Sequence, residues 1–442
     1  MLNSGHCLVL SGGGAKGVYH IGVWRALQEL GVKVDAFIGN SIGAIVAGFL
    51  AQGKFKRMEE IGSHMGIDFI LNIPEEFIEN GEVKINPAKL TGFTKFYKTI
   101  IDKKGLDTSP LRQLLKNNLD EEKIRKRGKD LGIVTFNISD MKPKKLFIED
   151  MERGEVINYL LASSAFPGFE RTEINGKKYI DGGVYDNIPF SMARQRGYKK
   201  IIVSDISGLG MRRKMDITGT QTIYIKNSIN MGGVLDFDKQ FLQDYTYLGY
   251  LDTLKTFEVL VGYNYFISPD EELETDFMNL ICKDVQSVRN YAKTFLDVDA
   301  GTFSTSIKNI FPEYSRFEKN WLVVLVDCAA KILSVDRLRK YTYRELLVEI
   351  NQQITMINKM VAKLKKGKLF NIEEFLKILK SGKDLVESPY YYYCLIDTFL
   401  KGRAQKLALR ALTRIFPEIP AGIYFLLLLK NNGIRDSKLL AD

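Results

Sequence analysis

Apolar positions in the first half of the chain fall into short, β-branched runs that alternate with stretches of helical spacing. His6-Cys7-Leu8-Val9-Leu10-Ser11 reads as a buried first strand, followed by the loop Gly12-Gly13-Gly14-Ala15-Lys16-Gly17. Val18, Ile21, Gly22, Trp24, Leu27 and Leu30 then recur at helical intervals, and Gly31 closes that helix. A second apolar run, Val34 to Ile38, leads through Gly39-Asn40-Ser41-Ile42-Gly43 into small apolar residues at helical spacing. Residues 54–130 read as mainly helical and polar, broken at Pro74, Pro87 and Pro110. Leu131–Asn137 and Lys145–Ile148 read as further strands, and Val156–Ser163 as a short helix. The hairpin signal Asn175-Gly176 precedes a strand at Lys178–Ile180, which runs into Asp181-Gly182-Gly183. A helix at Phe190–Arg196, a stop at Gly197 and a strand at Lys200–Ser204 follow. Strands alternating with helices predict an α/β fold, with a parallel sheet covered on both faces.

The pattern changes near residue 268. Beyond Pro269, strand-like alternation gives way to long amphipathic stretches at Val323–Leu333, Leu346–Leu364, Phe370–Leu379 and Arg403–Ile415. The expected division is therefore 1–268 for the α/β part and 269–442 for a helical region. Nothing in the sequence assigns that region a role.

Length and composition fit this division: 442 residues, 45% hydrophobic and 26% charged, suit a globular chain with room for two domains. Cys7, Cys282, Cys328 and Cys394 form no C-x-x-C pair, and only three histidines occur, so neither a metal centre nor a disulfide framework is expected. The N-terminus lacks a basic segment followed by a long apolar run, so no signal peptide is expected. Trp321–Leu333, interrupted by Asp327 and Lys331, and Ala421–Leu429 are both too short to span a bilayer. The expectation is a cytoplasmic protein, peripheral to membranes at most. The net charge of +10, with basic runs such as Arg212–Lys214, suits nucleic acid or an anionic membrane surface.

The chemistry centres on Gly39-x-Ser41-x-Gly43. A serine at a sharp strand-to-helix turn, flanked by glycines that remove bulk, is a nucleophile elbow. Gly12-x-Gly14-x-x-Gly17 has two readings. One is a dinucleotide loop, with Asp35 as the ribose-binding acid; against it, Asp35 stands near the beginning of the second strand rather than at its end. The other is an oxyanion hole, in which glycines let backbone N–H groups approach a developing negative charge. The histidines are His6, His20 and His64. A serine hydrolase of the usual order needs a histidine late in the chain, and His64, the only one after Ser41, follows a polar helix. A carboxylate must then act as base. Asp181, at a strand end before two glycines, is the best placed, with Asp140, Asp186 and Asp205 as alternatives.

Ser11-Gly12-Gly13-Gly14-Ala15-Lys16-Gly17, Gly39-Asn40-Ser41-Ile42-Gly43 and Asp181-Gly182-Gly183, in that order, resemble the patatin-like phospholipase family. Ala162–Gly168 and Leu248–Thr253 resemble its bacterial members. The likeness covers roughly residues 6–265. It implies a three-layer αβα sandwich and a lipid acyl hydrolase (phospholipase A or lysophospholipase type) with a serine–aspartate dyad. By that match Ser41 is the nucleophile and Asp181 the base. Gly12, Gly13 and Gly14 line the oxyanion hole, with Lys16, Gly17, Gly39, Gly43, Gly182 and Gly183 supporting the motifs. With this resemblance, no metal and no organic cofactor are expected, the substrate is expected to be a phospholipid or lysophospholipid, and the positive charge is read as favouring peripheral contact with an anionic membrane surface rather than nucleic acid. Phe166, Phe169 and Leu209 are guesses for an acyl-chain wall.

Overall fold

The computed structural model describes residues 5–73, 78–79, 82–83, 105–283, 285–293, 298–302, 304–305, 320–363 and 418–430. The stretches Phe370–Leu379 and Arg403–Ile415 lie outside the described residues. The chain divides into two compact units, Met1–Thr256 and Phe257–Asp442.

The first unit is built on a sheet of eight strands: β1 (His6–Leu10), β2 (Val34–Asn40), β3 (Asp130–Asn137), β4 (Lys142–Phe147), β5 (Thr172–Ile174), β6 (Lys177–Asp181), β7 (Lys200–Asp205) and β8 (Gln221–Lys226). The strand order is β8-β7-β1-β2-β3-β6-β5, with β4 also pairing β3. From β8 to β3 the pairing is parallel; β3–β4, β3–β6 and β6–β5 are antiparallel. Helices cover both faces, as the short, doubly buried strands require. Cys7, Val9, Ala36, Ile38, Ile201 and Val203 pack toward Phe190, Met192 and Ala193, on one face. Strand alternation sends Phe37 to the other face, where its ring lies 5.3 Å from that of Trp24.

That second face carries α1 (Val18–Glu29), α2 (Ile42–Gln52) and α8 (Lys239–Thr256), and the Phe190 face carries α7 (Phe190–Gln195). The helices α3 (Phe55–His64), α4 (Ser109–Asn118), α5 (Glu121–Arg127) and α6 (Val156–Ser163) complete the unit. Two glycines set the closeness of α1 and α8. A Cβ on Gly22 would strike the Thr246 carbonyl oxygen, and one on Gly249 the Tyr19 carbonyl oxygen. The crossing also buries Asp252, which accepts the Tyr19 hydroxyl at 2.9 Å and the Ser228 N–H at 3.0 Å.

One register decides where the site forms. Along β3, Asp130 to Val134 pair with Ala36 to Asn40 of β2, and Thr135 to Asn137 pair with Asp181 to Tyr179 of β6. The other edge of β3 is filled by β4 from Gly132 to Asn137. A strand has two edges, so β2 and β6 share one and meet end to end on it. The last residues of both strands, Asn40 and Asp181, therefore face neighbouring residues of β3.

In the second unit, α9 (Glu271–Lys283), α10 (Val285–Tyr291), α11 (Trp321–Ile332), α12 (Tyr343–Lys363) and α13 (Glu418–Lys430) surround one apolar core, with a two-residue parallel pairing of Phe266–Ile267 and Lys340–Tyr341. From Leu322 to Ala330, α11 is buried without a break, the mark of a central helix. Asp327, at its middle, is buried and accepts the N–H groups of Tyr263, Asn264 and Tyr265 at 2.9 to 3.0 Å and the Asn264 side-chain amide at 2.7 Å. Among the described residues no helix is long and apolar enough to cross a membrane.

His20 is a structural histidine. Fully buried, it spans 2.9 Å from Nε2 to the Ser11 carbonyl and 2.7 Å from Nδ1 to Ser204 Oγ. A carbonyl only accepts, so Nε2 donates and Nδ1 accepts from the Ser204 hydroxyl, which fixes the neutral tautomer. Burial pushes its pKa from 6.5 down to about 4. The unfolded chain takes up a proton near 6.5 and the native state only near 4, so stability is full above this window and falls as pH drops through it. Wild type should lose about 3 kcal/mol across the window through this group, and His20→Gln should flatten the acid limb in urea titrations at a series of pH values.

Candidate active site

Ser41 stands between β2 and α2 with φ 55° and ψ −129°. This is the left-handed half of backbone space, where a side chain costs about 1–3 kcal/mol. The strain is imposed by packing. A Cβ at Gly39 would overlap the Gly43 carbonyl, and a Cβ at Gly43 would overlap those of Leu10 and Ser11. The turn closes only because both positions are bare. Ser41 N–H, left without a helical partner, donates to Ser163 Oγ at 2.9 Å. The side chain sits at the start of α2, where unpaired N–H groups favour negative charge.

The end-to-end meeting of β2 and β6 brings Asp181 to this serine. Its buried carboxylate accepts the Gly183 N–H at 2.7 Å and Asn40 Nδ2 at 3.2 Å, and borders the same cavity as Ser41. Burial raises the carboxyl pKa above its ordinary value, and the nearby Ser41 side chain and the hydrogen bonds from Gly183 and Asn40 oppose that rise. The result is a carboxylate that holds a proton more readily than an exposed one. Gly182 is bare for a packing reason, since a Cβ there would press on Asn40 Oδ1 and the Val134 carbonyl.

Two asparagines tie the carboxylate to the glycine loop, and sequence reasoning gave neither a role. Asn40 Nδ2 donates to Asn187 Oδ1 at 3.1 Å as well as to Asp181. Asn187 in turn accepts the Gly12 N–H at 3.2 Å and donates Nδ2 to the Gly12 carbonyl at 3.2 Å. A Cβ on Gly12 would collide with this pair. The available signals were thin: Asn40 fills a variable place in the elbow motif, and Asn187 follows Asp181 by six residues.

The Gly12 N–H is thus committed to Asn187. Gly13 and Gly14 border the cavity beside Ser41, and among the described residues their N–H groups have no acceptor. Lys16 turns away from the cavity. It is buried, reaches Asn230 Oδ1 at 3.5 Å and lies over the Tyr245 ring, and burial lowers its pKa. Gly17 is bare where Ile42 packs against it.

The rival residues stand elsewhere. Asp140 is bound to Lys177 at 2.6 Å on an exposed turn. Asp186 accepts the Ile188 N–H at 3.3 Å, and Asp205 the Tyr224 hydroxyl at 2.6 Å. His64 is exposed and contacts Ser63 and the Glu60 carbonyl. Asp35 lies at the start of β2, the end away from the glycine loop, and is held by Lys129 and the Gly5 N–H at 2.8 Å each. It cannot serve a ribose beside that loop. No group of three or more His, Cys, Asp or Glu able to hold a metal occurs among the described residues.

Ser41 and Asp181 open into a cavity of about 590 Å3, lined chiefly by aliphatic and aromatic side chains. Phe166, Phe169 and Leu209 all border it, with Ile45, Val46 and Phe49 from α2. The volume falls in the range of small-ligand sites, and the few polar groups cluster at Ser41.

Residues 8–194 match the family model for patatin-like phospholipases. A protein named probable lipid hydrolase 463L, from invertebrate iridescent virus 6, is 31% identical over 195 residues, which is 44% of this chain and 64% of that protein. The lysophospholipase NTE1 of Eremothecium gossypii is 27% identical over 47% of this chain and 12% of its own length. The match therefore spans under two thirds of the viral protein and a small part of the fungal one. Among solved structures, VipD from Legionella pneumophila aligns over 98% of this chain and 93% of its own, at 14% identity and a TM-score of 0.37, too loose a likeness to support inference.

Two stability measurements test this geometry. Ser41→Gly should raise the unfolding free energy by about 1 kcal/mol, because glycine accepts the backbone conformation, whereas Ser41→Ala keeps the strain. The raised Asp181 pKa means that the native state binds this proton more tightly than the unfolded chain, so wild type loses stability as pH rises from the unfolded value through the folded one. Asp181→Asn removes that loss. Its melting temperature relative to wild type should therefore be higher at neutral pH than in acid.

Proposed function

We propose, from the premise that residues 8–194 form a patatin-like phospholipase domain, that this chain hydrolyses acyl esters of phospholipids or lysophospholipids through a Ser41–Asp181 dyad. The observation that carries the reading is that Ser41, on a strained strand-to-helix turn, and the buried Asp181 carboxylate line one apolar cavity. Ser41 Oγ attacks the ester carbonyl carbon, and Asp181 takes the hydroxyl proton. The carbonyl oxygen becomes an oxyanion facing the N–H groups of Gly13 and Gly14. We assign the hole to these two donors and give Gly12 the task of holding the loop through Asn187. One such donor is worth about 3–4 kcal/mol in acyl transfer. Asp181 then gives its proton to the departing alcohol oxygen, leaving an acyl ester on Ser41. Water attacks that ester, Asp181 again accepts the proton, and Ser41 is restored as the fatty acid leaves.

The acyl chain is the part of the substrate that fits the cavity. Each methylene taken from water contributes about 0.8 kcal/mol, so Phe166, Phe169 and Leu209 favour a lipid chain over a short soluble acid. The viral and fungal relatives, named as a lipid hydrolase and a lysophospholipase, fit the same chemistry. Every residue given a role in this reaction lies in the first unit, and a phospholipid substrate would bring the enzyme to a membrane surface.

Fatty-acid release from mixed phospholipid vesicles, with labelling by a fluorophosphonate, tests the reading. Wild type should release and label, and Ser41→Ala should do neither. Asp181→Asn should lower kcat by about 10²–10⁴-fold. Because the base must be ionised and its pKa is raised, the acid limb of kcat/KM should lie above the usual carboxylate range. A wild type that neither labels nor releases would remove the hydrolase reading.

A further inference from the structure

The cavity has a mouth, and the residues that mark it are those that both line the cavity and reach solvent. Four are large and apolar: Leu209 is 65% exposed, Met211 54%, Val184 38% and Leu235 36%. They come from three segments of the first unit that converge at one opening. Scattered exposed apolar residues need no explanation, but a ring of them around one opening does.

The segment carrying Leu209 and Met211 is fastened from its polar side. Ile206 N–H donates to Ser11 Oγ at 3.0 Å, and Met211 N–H to the Gly183 carbonyl at 2.8 Å. The Met211 carbonyl accepts the Asn187 N–H at 2.7 Å. Asp205 caps the Ser207 N–H at 2.8 Å and is paired with Arg212 at 3.3 Å. The backbone is thus pinned to the glycine loop and to the Asp181 turn, while its apolar side chains stand outward. Immediately after them comes Arg212-Arg213-Lys214, all exposed, with the Arg213 guanidinium stacked 3.8 Å over Tyr185. An apolar rim beside three consecutive cations, on a chain of net charge +10, complements a surface with a hydrocarbon interior and anionic headgroups.

We propose that the mouth formed by Val184, Leu209, Met211 and Leu235 docks on an anionic lipid bilayer, with Arg213 and Lys214 held at the phosphates. Docked this way, the cavity opens into the hydrocarbon, and an acyl chain passes to Ser41 without crossing water. The inference rests on the lipid-hydrolase reading for its purpose, but the surface stands on its own geometry.

The test uses the full chain carrying Ser41→Ala, so that turnover does not alter the vesicles. Co-sedimentation is measured with vesicles of phosphatidylcholine alone and of phosphatidylcholine mixed with phosphatidylglycerol. Binding should favour the mixed vesicles and weaken with salt. Arg213→Gln with Lys214→Gln should reduce partition on mixed vesicles by about tenfold or more. Leu209→Asn with Met211→Asn should reduce it on both kinds by a similar factor. A Leu209→Trp reporter should shift its emission to the blue on mixed vesicles. Equal binding to both vesicles, unchanged partition in the charge variant, an unmoved reporter, or rim residues buried in a dimer that ignores vesicles would each overturn the proposal. With Ser41 intact, the charge variant should cleave a monomeric short-chain ester as fast as wild type. A wild type that cleaves neither that ester nor the vesicle lipids and takes no fluorophosphonate label sinks the hydrolase reading, while the sedimentation result still decides the docking surface.

Discussion

The meeting of two strands end to end on one edge of β3 is the constraint on which the first unit's chemistry depends. Parallel β2 and antiparallel β6 approach from opposite directions, and Asn40 and Asp181 face consecutive residues of the same neighbour. A serine one residue past the first strand and a carboxylate at the end of the second are then in reach without a long loop. The local features follow from this closeness. Gly39, Gly43 and Gly182 are bare because carbonyls or the Asn40 amide occupy the space of a side chain. Asn40 and Asn187 fill the remaining gap with amides that bond the carboxylate on one side and the glycine loop on the other. Asp181, the Ser41 turn and the glycine loop thus belong to one hydrogen-bonded body, the kind of preorganisation the proposed reaction would need.

How much of this could be read in advance depended on how far each constraint reaches along the chain. Close backbone approach leaves glycine behind, so the elbow, the loop after β1 and the Asp181 turn were all visible in the sequence. Doubly buried strands leave apolar runs, and β1, β2, β3 and β7 stood out for that reason. β8 did not, because its Gln221–Lys226 segment is a half-buried edge whose exposed residues dilute the pattern. α8 was obscured by its own packing. Its buried positions include Gly249, Asp252, Thr253 and Lys255 among the apolar Phe241, Leu242, Tyr245, Leu248, Leu251 and Leu254, so bare and polar residues interrupt the apolar face. Asn187 partners Gly12 from 175 residues away, and no local periodicity encodes such a contact. That no histidine follows His64 needed only a count, and His20, which spans Ser11 and Ser204, shows what a buried histidine does here instead.

The second unit answers a different sequence puzzle. Trp321–Leu333 has the hydropathy of a membrane segment except for Asp327 and Lys331. Asp327 is the centre of a turn, since three successive N–H groups and one amide converge on its carboxylate. Removing one member of such a buried set leaves the others unsatisfied, at about 1–3 kcal/mol for each stranded group. An apolar helix with a charge at its middle is here the core of a globular unit, with Lys331 reaching Glu418 of α13 at 3.4 Å.

The apolar lining of the cavity has a kinetic side as well. If the cavity takes an acyl chain as proposed, the same wall also retains the fatty acid made from it, and each additional pair of methylenes slows departure by about tenfold. For long chains the slow event would then be product escape rather than bond breaking. On the proposed reading, an enzyme of this shape would work fastest where hydrocarbon waits outside to receive the product, and a bilayer would be a sink as well as a source.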